Sequence, residues 1–172
     1  SGRDYVLDFV RVPEGTGYYD AKNAGFATTR PQCEFVVFAD SDCMPAPQWL
    51  AALLEPMVHH PERGIVSGRT SYRNDVFGAA LTTIDFKYYP NPDFEQATRN
   101  FYANNVVFRR DLFEAHAYQP MGNTYRGHCQ VLGMKLDMAG IAVHYAPAAH
   151  TVHRLPDSLK ETLQLRWFRG QD

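Results

Sequence analysis

Glu34-Phe35-Val36-Val37-Phe38-Ala39-Asp40-Ser41-Asp42 is an apolar and aromatic run that stops at two carboxylates. Its apolar part does not alternate, so both faces must be covered, as in a strand buried within an α/β layer. Open α/β sheets bind ligands beyond the carboxyl ends of their strands, which is where Asp40 and Asp42 fall. Oxygen donors placed there suit Mg²⁺ or Mn²⁺, commonly shared with substrate phosphates. Asp and Ser also favour turns, so the tripeptide alone reads equally as a polar strand end.

Upstream of this strand, residues 5–12 are β-rich and predict another strand, broken by Pro13-Glu14-Gly15-Thr16-Gly17. Residues 19–29 carry helical spacing (Ala21, Ala24, Gly25, Thr28) and stop before Pro31. Downstream, Pro47 can open a helix whose buried face is Leu50, Leu53, Leu54 and Met57, with Pro56 expected to kink or shorten it. Residues 64–68, 105–108 and 141–145 predict strands, and 77–89 and 128–139 predict helices, the latter closed by Gly140 as a left-handed cap. Ser158 and Glu161 form a capping box opening a last helix through Trp167. Strands alternating with helices predict an α/β fold with a largely parallel sheet, in a single domain spanning residues 1–172.

Composition narrows the class. The chain has 172 residues, 45% of them apolar, enough for one core. Its 17 basic and 19 acidic residues leave a net charge of −2, which argues against a general nucleic-acid binder. No apolar run approaches the roughly 20 residues of a membrane helix. No signal-peptide pattern opens the chain, which begins Ser1-Gly2-Arg3. Cys33, Cys43 and Cys129 are odd in number and widely spaced, which suits a reducing, cytoplasmic compartment.

Two enzyme classes place an Asp-x-Asp after a buried strand. A haloacid-dehalogenase-like phosphatase uses the first Asp as nucleophile and needs a later lysine and a further acidic pair. Here the later aspartates (Asp75, Asp85, Asp93, Asp111, Asp137, Asp157) are scattered singly, and Met44 stands where a small or β-branched residue is expected.

The other class is a sugar-nucleotide transferase, and five segments in order carry the likeness. Ala21-Lys22-Asn23-Ala24-Gly25 resembles the Ala-basic-Asn-x-Gly helix of family 2 glycosyltransferases. The stretch from Phe35 to Leu50, with Pro45 and Trp49, is similar to that family's Asp-x-Asp strand and following helix. Asn105-Val106-Val107-Phe108-Arg109-Arg110 resembles its Asn-x-x-x-Arg-Arg segment. Residues 127–145 with Pro147 and His153 resemble its late helix–strand–histidine block, and Arg166-Trp167 its Arg-Trp ending.

The resemblance implies a GT-A, Rossmann-like fold. It also implies an inverting transfer of sugar from a nucleotide-diphosphate sugar to a carbohydrate or lipid-linked acceptor, assisted by Mn²⁺ or Mg²⁺. By the same likeness, Asp42 would ligate the metal directly and Asp40 would contact the ribose or the metal shell. His153 would reach the metal or the diphosphate, or else be a hydrogen-bonded loop histidine. Lys22, Asn23, Asn105, Arg166 and Trp167 match nucleotide-side positions, although Lys22 also reads as a solvated helix lysine.

The family's Glu-Asp pair, which supplies the general base, is replaced by His128-Cys129. An imidazole can act as base near neutral pH, whereas Cys129 reads better as a small buried residue. The replacement keeps open a second reading, a GT-A remnant acting as a binding or scaffold module. Nothing before Asp20 matches the family's opening strand–helix–strand, so a chain truncated at its N-terminus is expected, with membrane association only through segments outside it. Gln164-Leu165-Arg166-Trp167 is one residue short of the Gln-x-x-Arg-Trp of processive synthases and reads equally as an amphipathic helix packing Leu163 and Trp167 on the sheet.

Overall fold

The computed structural model describes residues 6–122, 124 and 126–170. Its elements run α1 (Tyr18–Ala27), β1 (Phe35–Ala39), β2 (Cys43–Pro45), α2 (Trp49–His59), β3 (Ile65–Ser71), α3 (Val76–Asp85), β4 (Ala97–Thr98), β5 (Asn105–Arg109), α4 (Arg110–Ala115), α5 (His128–Met138), β6 (Val143–His153) and α6 (Leu159–Arg169). Strand order is β1-β5-β3-β6-β2, with β4 also paired to β6.

Alternate residues of the strands feed two cores on opposite faces of the sheet. Val36, Phe38, Ile65, Val106 and Phe108 join Phe113, Cys129, Leu132 and Leu136 from α4 and α5. Val66 and Val107, with Phe35 and Val37 packed against them, join Leu53 and Met57 of α2. Helices on both sides explain why the β1 sequence shows no polar alternation. The α/β architecture with flanking helices therefore stands as expected.

The parallel character does not. Among the described residues only β3 and β6 pair in parallel, and the β1–β5, β3–β5, β2–β6 and β4–β6 pairs are antiparallel. Periodicity reports that a strand has two covered faces, not the direction of its neighbour. β6 is also longer than predicted and slips register: Gly68 faces Ala146, then Arg69 faces His150. The bulged residues Pro147–Ala149 bring the Ala149 carbonyl over Gly68, where a Cβ would lie 2.4 Å from it.

Several local expectations are corrected. Tyr5 of the predicted first strand lies outside the described residues, and 6–12 form no strand. Their backbone finds no ladder partner among the described residues, and an unpaired strand is not stable in water. α3 ends at Asp85 rather than at residue 89, because Phe86 turns into a cluster with Tyr72 and Leu81. Asn100 then takes over the neighbouring backbone, accepting from Tyr89 N at 2.9 Å and donating to Lys87 O at 2.8 Å. α2 runs through Pro56 to His59.

Gly140 adopts φ 73°, the left-handed cap expected after α5. Ser158 Oγ caps Glu161 N at 3.1 Å, and the Glu161 carboxylate reaches back to Asp157 N, one residue before the Ser158 amide of an ideal box. Leu163 and Trp167 do not pack on the sheet; they are 60% and 71% exposed.

Candidate functional site

β1 ends at the edge where β3 and β6 also finish, and the two aspartates leave that edge in different directions. Asp40 turns toward α1. Tyr18 and Lys22 are one helical turn apart and share a face, and both reach its carboxylate. The Tyr18 hydroxyl donates to Oδ1 and Oδ2 at 2.7 Å, and Lys22 Nζ to Oδ1 at 2.7 Å. Burial, reinforced by the facing carboxylate, pushes the Tyr18 phenol well above its usual range, so it remains a donor. Lys22 is not solvated: its side chain is 10% exposed, its ammonium lies over the Tyr18 and Phe38 rings, and it also reaches Ala39 O.

Asp42 turns the other way, toward β6. β2 pairs antiparallel with β6 so that Cys43 stands opposite His153, and the Asp42 carbonyl accepts from Arg154 N at 2.8 Å. His153 Nδ1 lies 2.7 Å from the Arg154 carbonyl. A carbonyl only accepts, so Nδ1 carries the proton and the other ring nitrogen is turned outward. That nitrogen, Nε2, is 3.4 Å from Asp42 Oδ2. The Tyr72 and Phe86 rings, each 5.5 Å from the imidazole, hold its plane.

Donor atoms of Asp42, Cys43 and His153 all lie within 4.8 Å of one another. A carboxylate and an imidazole so close fit a divalent cation. Burial, then Asp40 and Asp42, push the Cys43 thiol up to about 12. Among the described residues, Asp40 is not part of this cluster.

α5 starts at His128, after Gly127 in the left-handed region at φ 107°. The His128 ring stacks on Tyr19 with centroids 4.0 Å apart, and Tyr19 is edge-on to Tyr18, so His128 joins the Asp40 site through two rings. His128 also lines a cavity of about 110 Å³ with His116, Gln119 and Lys135. Cys129 is 1% exposed in the core, its sulfur 3.5 Å from the Tyr19 hydroxyl, and burial raises its thiol to about 11. A protonated core thiol offers a substrate neither a base nor a surface.

Asn23, Asn105 and Arg166 are engaged in contacts within the fold. Asn23 donates to Tyr118 O at 2.7 Å, pinning α1 to the following loop. Asn105 is fully buried; Nδ2 donates to Arg69 O and Ala149 O at 2.9 Å, and Oδ1 accepts from Trp49 Nε1 at 2.8 Å. Arg166 grips Asp85 with two nitrogens at 2.5 and 2.9 Å, and Asp85 also accepts from Tyr72. Arg166 thus backs the Tyr72 ring that steadies His153, while Trp167 is exposed. No pattern in the sequence marks Tyr18, Cys43 or Tyr72 as site residues. Tyr18 precedes the Asn-x-Gly helix motif, and Cys43 gains its partner only through the β2–β6 register.

The chain's fold is that of GT-A glycosyltransferases, as shown by its likeness to solved structures. Glucosyl-3-phosphoglycerate synthase from Mycobacterium tuberculosis, solved with phosphoglyceric acid, superposes with a TM-score of 0.58 at 20% identity over 93% of this chain. The same enzyme with Mn²⁺, uridine diphosphate and glucosyl-3-phosphoglycerate gives 0.56 at 19% identity over the same share. GalNAc-T7 with UDP, GalNAc and Mn²⁺ gives 0.59 at 13% identity over 80% of this chain. The chain spans 53% of the synthase, in both complexes, and 30% of GalNAc-T7. Comparison with curated protein sequences gives no match. The glycosyl transferase family 2 model matches residues 3–117, two thirds of the sequence, and the chain belongs to that family.

Proposed function

We propose that the chain carries the metal and nucleotide edge of an inverting glycosyltransferase, which moves a sugar from a nucleotide-diphosphate sugar to the hydroxyl of a carbohydrate or lipid-linked acceptor. The observation that carries the reading is the 3.4 Å approach of His153 Nε2 to the Asp42 carboxylate at the strand ends of a family 2 chain. The related structures solved with Mn²⁺ and uridine diphosphate support it. Asp42 and His153 would hold Mn²⁺ or Mg²⁺, which offsets the negative charge of a departing diphosphate. Asp40, fixed by Tyr18 and Lys22, presents a preset carboxylate edge to the ribose, and Lys22 keeps a positive charge at that edge. His128 accepts the proton of the attacking hydroxyl as the acceptor approaches the anomeric carbon from the side opposite the diphosphate.

Isothermal titration with Mn²⁺ and uridine or guanosine diphosphate tests this reading. Metal-dependent nucleotide binding that disappears in Asp42→Ala is the expected result. Binding that survives Asp42→Ala unchanged defeats the assignment. A second reading, a family member that binds without transferring, is favoured by the start of α5, which offers an imidazole and a core thiol where the family has two acids. Nucleotide binding without turnover on any acceptor would establish it.

A further inference from the structure

The third donor beside Asp42 and His153 is a thiol, and sulfur is not a ligand that Mn²⁺ or Mg²⁺ selects. Cys43 does not sit there by chance of an exposed surface. It is the cross-strand partner of His153 in the β2–β6 ladder, which puts both side chains on one face as close neighbours. Its amide is fixed by donating to Asp40 O at 3.1 Å, and its Sγ lies 4.0 Å from Asp42 Oδ1. His153 is equally constrained, by the Arg154 carbonyl behind it and by the Tyr72 and Phe86 rings beside it. One carboxylate oxygen, one sulfur and one imidazole nitrogen within 4.8 Å make a mixed O, S, N donor set. Zn²⁺ takes such a set tetrahedrally and leaves its fourth position to water or a substrate oxygen.

We propose that Cys43 makes this centre a site for a thiophilic divalent ion, of which Zn²⁺ is the type, bound through Asp42, Cys43 and His153 more tightly than Mn²⁺. As the metal–sulfur bond forms, the thiol gives its proton to solvent. The inference rests on Asp42 and His153 being the metal ligands and adds the sulfur. It predicts that the metal present decides the state of the centre: a manganese form held by oxygen and nitrogen, and a zinc form that also recruits Cys43.

Titration of the intact chain with Co²⁺, a coloured stand-in for Zn²⁺, tests it. The expected result is a near-ultraviolet thiolate-to-cobalt band that is bleached by added Zn²⁺. Cys43→Ser removes the band and weakens Zn²⁺ binding at least about tenfold, the least that loss of even a ligand's supporting partner costs. Mn²⁺ binding, followed by its electron paramagnetic resonance signal, changes little in that variant. Cys33→Ser, at the exposed thiol, keeps the band. Absence of the band while Mn²⁺ still binds overturns the sulfur ligand and leaves the proposed function standing. Persistence of the band in Cys43→Ser overturns it likewise. Failure of both Co²⁺ and Mn²⁺ to bind overturns the metal reading itself.

Discussion

Replacing Asn105 by Ala separates a nucleotide contact from a structural knot. In the fold this amide is fully buried and uses both Nδ2 protons and Oδ1 on partners in three elements: Arg69 O in β3, Ala149 O in β6 and Trp49 Nε1 in α2. Its orientation follows from those partners, since two carbonyls require the NH₂ group and an indole N–H requires the oxygen. Each of the three hydrogen bonds lost costs about 1 kcal/mol net where water replaces the amide, or about 2 kcal/mol, midway in the range of about 1–3, where its buried partner is left unsatisfied. A total cost of about 3–6 kcal/mol is a large part of the roughly 5–15 kcal/mol that stabilises a domain.

Urea unfolding followed by far-ultraviolet circular dichroism reads the midpoint, and Trp49→Phe, which deletes one donor, supplies a milder variant costing about 1–2 kcal/mol. The two substitutions share one bond, so the double variant is expected to cost less than their sum. Asn105→Ala with the parent's urea midpoint but weakened nucleotide binding would refute the reasoning. The amide would then be spent on ligand rather than on the fold.

Other outcomes are equally direct. Cys129→Ala is expected to keep turnover within about twofold while lowering stability by about 1 kcal/mol, the loss of a small buried group; loss of turnover in a folded Cys129→Ala protein would return the thiol to the site. His128→Ala is expected to lower turnover with nucleotide affinity unchanged, and equal turnover in variant and parent would remove His128 as the base. Burial, and then nearby Arg69, hold the His150 imidazole below its ordinary value of 6.5, and burial followed by Arg63 does the same for His144. The unfolded chain therefore binds more protons than the folded one just below that value. Stability is full above about 6.5 and is lost as pH falls through it. The urea midpoint should fall on acidification across that range, and His150→Gln, which can still bond to Ser71 Oγ, should flatten the slope; a midpoint that rises on acidification contradicts the assignment.

Much of the architecture is legible in the order of residues. The unalternating run before Asp40 marks a strand covered on both faces, and Leu53 and Met57 mark the buried face of α2, although Leu50, expected on the same face, is 48% exposed in the first turn of the helix. Gly140 and Ser158 mark an end and a beginning, because caps depend on only a few neighbouring residues. Asp40 and Asp42 are legible as a candidate site because polar groups that end a buried strand must face either solvent or a ligand.

What each of those groups touches is decided elsewhere. Asp40 belongs to Tyr18 and Lys22, while Asp42 belongs to His153, more than 100 residues away, and only the β2–β6 register brings Cys43 to the same place. Asn105 and Cys129, singled out as site residues, become a structural knot and a core thiol for the same reason. Local pattern records how much of a side chain is covered; which partner covers it is fixed by strand pairing and packing between distant segments. A polar residue's role therefore emerges only when the chain has closed around it.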